Sequence, residues 1–144
     1  FWDRATLYAF RGAFAAGETK RTIKYIKEYS ERRLLGEHVP YPVEAFPEGN
    51  QRHLSAESAL YCRIITEGLF GIRPTGLNSF SFSPKMPEGW NEMALRKIRS
   101  FGKTYDIEVN RIEDSLLIKV FSDDQIFMQS LIKNGETVNM TMIY

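Results

Sequence analysis

The stretch that decides the fold is "GLFGIRPTGLNSFSFSPKMPEGW", Gly68 to Trp90. Glycines and prolines punctuate it, and Phe80 and Phe82 alternate with serines. On either side of it the hydrophobic residues follow different periods. A period of three to four marks one face of a helix, and a period of two marks one face of a strand. The change falls at Pro74, which divides the chain into a helical part, 1–73, and an antiparallel β part, 74–144.

Upstream, Leu7, Phe10 and Phe14 share a helix face that Gly17 terminates. Thr19 is placed to cap a second helix, with Ile23, Ile26 and Leu34 inward and a charged face of Lys20, Lys24, Lys27, Glu28, Glu31 and Arg32 outward. The short connection predicts an antiparallel helical hairpin. After Gly36 comes a proline-stiffened loop, "YPVEAFPEGNQRH". Ser55 is placed to cap a third helix, with Glu57 in its first turn, where the helix dipole favours a negative charge. Leu60, Ile64 and Ile65 form the inward face, and Gly68 or Gly71 closes the helix. Three helices cannot cover their own inward faces. The expectation is that further helices, from an N-terminal part of the same protein or from another chain, complete this part.

Downstream, alternating apolar residues run through Met93 and Leu95, Tyr105 to Val109, Leu116 to Val120, Ile126 and Met128, and Val138 to Met142. Turn signals separate them: "PEGW", "FGK", "NRIED", "SDD" and "KNGE". Asn134-Gly135 reads as a type I′ hairpin turn. The expectation is an antiparallel sheet of about five or six strands, a usual size. Helices followed by strands give an α+β chain built in separate layers or domains.

Composition excludes several functions. The chain has 144 residues, 43% of them apolar, with a net charge of +1 and bases interspersed with acids. No basic field points to nucleic acid or to an anionic membrane surface. No apolar run approaches the roughly 18–20 residues of a membrane helix. Cys62 is the one cysteine, and with His38 and His53 it lacks the spacing of a metal site, so neither metal nor another cofactor is expected. Nothing here fixes the compartment: periplasmic, secreted and cytoplasmic locations all stay open. Aromatics are 13% of the residues and suit both a core and sugar stacking.

The motif residues resemble a known group. Gly71-Ile72-Arg73-Pro74, the spaced Pro84, Pro87 and Trp90, and Gly102, Tyr105, Ile107 and Val109 resemble the end of the six-hairpin glycosidases, which include glucoamylase-, rhamnosidase- and cellobiose-phosphorylase-like enzymes. The resemblance spans roughly Trp2 to Arg111. It implies the C-terminal helices of an (α/α)6 toroid followed by an antiparallel β-sheet or sandwich domain. It also implies an oligo- or polysaccharide substrate.

The loop before the third helix resembles the glucoamylase-like pattern, on Glu44, Gly49, Ser55 and Ala56. The resemblance makes Glu44 the general base of an inverting hydrolysis, with Glu48 the second choice. Such a base must be ionised and positioned against a water, and Pro42 and Pro47 stiffen the loop that carries Glu44. Trp2 and Arg4 are candidates to line the sugar site, and His53 to contact a sugar hydroxyl or a phosphate. The paired acid is expected upstream of Phe1, and Asp3 is a poor candidate for it. Each residue has a plainer reading: Glu44 and Glu48 as solvated loop acids, His53 as a surface residue, and Trp2 and Arg4 as a helix-start staple and a surface base. The alternatives for the chain are a glycoside phosphorylase or a non-catalytic carbohydrate-binding or structural module.

Overall fold

A computed structural model of the chain describes residues 2–36, 40–45, 54–100, 102–123 and 125–141. The chain folds as two compact units, Phe1–Leu69 and Phe70–Tyr144. The first holds the helices and the second all the named strands, so the class is α+β. Pro74 itself lies inside the second unit, already paired in a strand.

In the first unit, α1 (Asp3–Ala15) buries Leu7, Phe10 and Phe14, the three residues that the helical period selects. Gly17 ends the run at a φ of +85°, where a side chain would be strained. The second helix, α2 (Thr19–Arg33), buries Thr22, Ile26 and Tyr29. Ile23 and Leu34 are half-buried. Thr19 is the first helical residue and not the cap: Glu18 occupies the cap position, and its side chain makes no capping bond. The Thr22 hydroxyl donates to the Glu18 carbonyl at 2.6 Å.

The third helix, α3 (Ser55–Arg63), widens into a π-helical segment over Ile64–Leu69. Leu54 takes the cap position, so Ser55 is not the cap either. Gly68 does not close the helix. It lies within the π segment against α1, where an added Cβ would sit 2.6 Å from Cδ2 of the buried Phe14 ring. Its missing side chain is what permits the approach. Glu67 in the same segment pairs with Arg11 of α1 at 2.5 Å and with Arg63. Partial burial pushes the Glu67 carboxyl upward, but its hydrogen bond with Arg63 and the charge of Arg11 outweigh this and hold it below the usual range.

Among its described residues the second unit has seven strands in two antiparallel sheets. One has the order β1 (Arg73–Pro74), β2 (Ser79–Phe82), β7 (Val138–Thr141). The other has the order β3 (Glu92–Ser100), β4 (Lys103–Ile112), β5 (Ser115–Ser122), β6 (Gln125–Lys133). Alternation along β4 and β5 points Tyr105, Ile107, Val109, Leu116, Ile118 and Val120 to one buried face. Phe80 and Phe82 of β2 and Met140 of β7 form the buried face of the smaller sheet. Phe80 stacks on Tyr105 with ring centroids 5.6 Å apart, so the two sheets face each other across a shared apolar layer.

The expected single sheet is therefore two, and the Asn134-Gly135 hairpin does not form. β6 pairs with β5 and β7 pairs with β2, so this turn carries the chain from one sheet to the other. Asn134 has a different role. Its amide accepts from the Met86 N–H at 2.9 Å and donates to the Met86 carbonyl at 3.0 Å, as a neighbouring strand would. Gly135 donates to the Pro84 carbonyl at 2.9 Å. At the far end of the same segment, Arg111 donates to the carbonyls of Pro87 and Trp90. The Pro84–Trp90 run, which belongs to no strand, thus has its backbone held from both ends.

Replacing Asn134 by Ala leaves both backbone groups of the buried Met86 without that partner. The expected loss is about 1–3 kcal/mol from the second unit, read as a lower urea midpoint. Asn134→Asp keeps the acceptor and loses the donor, so it should fall between the two.

Candidate functional site

The head of α1 receives the loop 40–45. Trp2 forms an antiparallel bridge with Ala45, and the Asp3 N–H donates to the Glu44 carbonyl at 3.0 Å. Pro42 and Val43 are buried and anchor the loop. These contacts bring Trp2, Asp3, Arg4 and Glu44 together from positions some forty residues apart in sequence.

Arg4 is the centre of the cluster. Its Nη2 lies 3.3 Å from Glu44 Oε1, and its Nε donates to Glu57 Oε1 at 2.5 Å. Glu57 is fully buried, and its Oε2 has no hydrogen-bond partner among the described residues. A buried carboxylate strongly requires a counter-charge, and Arg4 supplies it from one edge of the guanidinium. Nη2 of the same guanidinium remains for Glu44. Glu44 is part-exposed, and Trp2, whose backbone bridges to Ala45, is 63% exposed. Arg4 also borders a groove of about 410 Å³ between α1 and α3, lined further by Tyr8, Ala56, Ala59, Leu60 and Arg63.

A second polar group lies on the buried side of α1. Asp3 is buried. Its Oδ2 accepts from the Tyr29 hydroxyl at 3.2 Å, and its Oδ1 is 3.8 Å from Arg33 Nη2. Burial pushes the Asp3 carboxyl above its ordinary value, against the pull of Arg33 and Tyr29. Burial and the Asp3 charge likewise push the Tyr29 phenol up. Above the ordinary carboxyl value the folded state holds a proton that the unfolded state has lost, so stability falls as pH rises toward the folded value. Asp3→Asn removes that decline. Relative to wild type, the variant should gain stability as pH rises above the ordinary carboxyl range, as measured by denaturant unfolding at each pH. A difference that stays constant or shrinks would contradict this placement of Asp3.

Of the sequence candidates, Arg4 and Glu44 pair, and Trp2 adjoins them through its backbone bridge to Ala45. Glu48 and His53 lie outside the described residues. Sequence reading misses Glu57, which reads as a first-turn acid facing the helix dipole and is instead enclosed. A signal for this exists: Glu57, Leu60 and Ile64 fall at i, i+3 and i+7, on the inward face. Asp3 likewise shares the face of Leu7, Phe10 and Phe14.

Chemically, the head of α1 presents an arginine-paired carboxyl group at the surface, an exposed indole on Trp2 and, bordered by Arg4, a groove of a size that holds a small ligand. Such a carboxylate can accept a proton from a water, and an indole face can stack on a sugar ring. Comparison with family models, with curated proteins and with solved structures returns no match for this chain.

Proposed function

We propose that this chain is the C-terminal part of a glycoside hydrolase that cleaves glycosidic bonds with inversion, and that Glu44 is its general base. The observation that carries the reading is the Arg4 clasp, which ties Glu44 to the buried Glu57 at the head of α1, where Trp2 is also exposed. The resemblance of the Gly71–Pro74 turn and the Pro84–Trp90 segment to the six-hairpin glycosidases supports it. The helical unit then belongs to an (α/α)6 toroid.

In an inverting hydrolysis one carboxylate takes a proton from water as that water attacks the anomeric carbon, while a carboxylic acid protonates the leaving oxygen. Glu44 takes the first role. Arg4 fixes the carboxylate through Oε1, and Glu57 fixes Arg4. Glu57 is fully enclosed, so it does not reach a substrate and does not serve as the acid. The acid comes from a further segment of the whole protein. Trp2 offers its ring face to the sugar.

The test uses the full-length protein on a panel of α- and β-linked gluco-, rhamno- and manno-oligosaccharides, with and without inorganic phosphate. The reading expects phosphate-independent release of a sugar whose first-formed anomer is opposite to the bond cleaved. Phosphate-dependent formation of a sugar phosphate would replace hydrolysis by phosphorolysis. Binding without cleavage across the panel would favour a carbohydrate-binding module.

A further inference from the structure

The larger sheet has a second face, opposite its buried one. Along β4, Thr104, Asp106, Glu108 and Asn110 alternate with the buried Tyr105, Ile107 and Val109 and point to that face. The register with β3 sets Glu92 beside Asn110 and Ala94 beside Glu108. β3 then bulges, so that Arg96 and Lys97 together oppose Asp106. Lys97 takes a φ of +56°, and its N–H donates to Asp106 Oδ1 at 2.6 Å. A bulge re-aims the side chains around it, and here it lays Arg96 over the face. Arg96 Nη1 donates to Asp106 Oδ2 at 3.2 Å, and Nη2 lies 2.6 Å from Glu108 Oε1. The Lys97 N–H and the Arg96 guanidinium hold the Asp106 carboxyl below its usual range. Ala94 is the small residue among these longer ones. A hollow of about 200 Å³ opens over it, walled by Glu92, Arg96, Glu108 and Asn110.

We propose that this hollow binds one pyranose ring of a saccharide, at a site separate from Glu44. The walls select the ligand. Among the described residues, the side chains of Glu92 and Asn110 make no hydrogen bond or ion pair. The hollow therefore offers a carboxylate that accepts, an amide that donates and accepts, and the remaining N–H groups of a fixed guanidinium. The charges are of both signs: Glu92, Asp106 and Glu108 stand against Arg96 and against Lys119, which faces Glu108 from β5. A metal ion or an ammonium group would meet the Arg96 charge, and a phosphate or carboxylate would meet Glu92 and Glu108. A neutral ligand avoids both costs. A sugar hydroxyl both donates and accepts, and adjacent hydroxyls match the paired polar atoms of a carboxylate, an amide or a guanidinium. The volume lies below the roughly 300 Å³ at which pockets for drug-sized ligands begin, which suits a single ring. Every wall residue belongs to the second unit, so this site does not depend on the hydrolysis reading.

The test is a titration of the chain followed by backbone amide NMR. The probes are the methyl glycosides of glucose, mannose, galactose and rhamnose and, separately, calcium chloride, methylammonium and inorganic phosphate. At least one glycoside should move the amides of Glu92, Ala94, Glu108 and Asn110 and saturate with a Kd of about 1–10 mM, the range for a ligand of about a dozen heavy atoms. Ala94→Leu fills the hollow from an exposed position, so the variant should keep the wild-type circular dichroism spectrum and bind at least tenfold more weakly. Asn110→Ala removes one wall group and should also weaken binding, which gives a second variant if the first does not fold. The proposal is overturned if no glycoside produces a saturable shift at these amides up to about 100 mM. It is equally overturned if folded Ala94→Leu and Asn110→Ala chains bind as the wild type does, or if calcium, methylammonium or phosphate saturates these amides in place of the glycosides.

Discussion

Gly71→Ala is expected to destabilise the second unit by about 3 kcal/mol or more, a large part of the stability of a small domain. Two costs combine. Gly71 has a φ of +65°, in the left-handed region, where a residue with a Cβ loses roughly 1–2 kcal/mol. The new Cβ would also lie 2.5 Å from the Ser83 carbonyl oxygen, 2.9 Å from its nitrogen and 3.0 Å from its carbonyl carbon. These are backbone atoms, so no rotamer change relieves the clash. Ser83 is tied in place, since its N–H donates to the Phe70 carbonyl at 3.1 Å and its hydroxyl to the Gly135 carbonyl at 2.6 Å. Overpacking of this kind costs about 1–3 kcal/mol by itself.

Gly102→Ala separates the two costs. Gly102 has a similar φ of +73° but nothing within 4 Å of an added Cβ. It should lose only the conformational part. Equal losses at the two positions in urea unfolding would show that the close approach at Gly71 contributes nothing. The Gly71-Ile72-Arg73-Pro74 turn is thus a packing requirement, in which the chain passes against the segment that leaves β2.

Much of this fold is readable because one face of each element is buried. Leu7, Phe10 and Phe14, or Leu116, Ile118 and Val120, announce helix and strand through spacing alone. What spacing does not carry is the choice of partner. Asn134-Gly135 has local hairpin chemistry, yet β7 pairs with β2 across more than fifty residues, and the Asn134 amide serves Met86 instead. Strand pairing is decided by which buried faces meet, and a dipeptide does not encode that. The caps differ by one residue for a related reason. Thr19 and Ser55 are good cap types, but Glu18 and Leu54 take those positions, and the structure leaves them without side-chain capping bonds.

The site divides in the same way. No spacing rule links Trp2 and Arg4 to Glu44; the backbone bond from Asp3 to Glu44 and the Trp2–Ala45 bridge create that proximity. Glu57 is hidden by its type. A glutamate in the first turn of a helix is usually exposed, and only its place on the Leu60 and Ile64 face marks it as internal.

The proposed function rests on Arg4 orienting Glu44 as the base that activates water. A positioned general base contributes roughly 100- to 10,000-fold to rate. Glu44→Gln keeps the side-chain volume and an oxygen for Arg4 but cannot take the proton. The change sits on a part-exposed side chain, so the fold should tolerate it. The decisive comparison is kcat and KM of the full-length protein, wild type against Glu44→Gln, on an oligosaccharide that the wild type hydrolyses. The expected outcome is a fall in kcat of roughly 100-fold or more, with KM within a few-fold and an unchanged melting temperature. A variant that turns over at the wild-type rate would remove Glu44 from the mechanism and refute its role as the base.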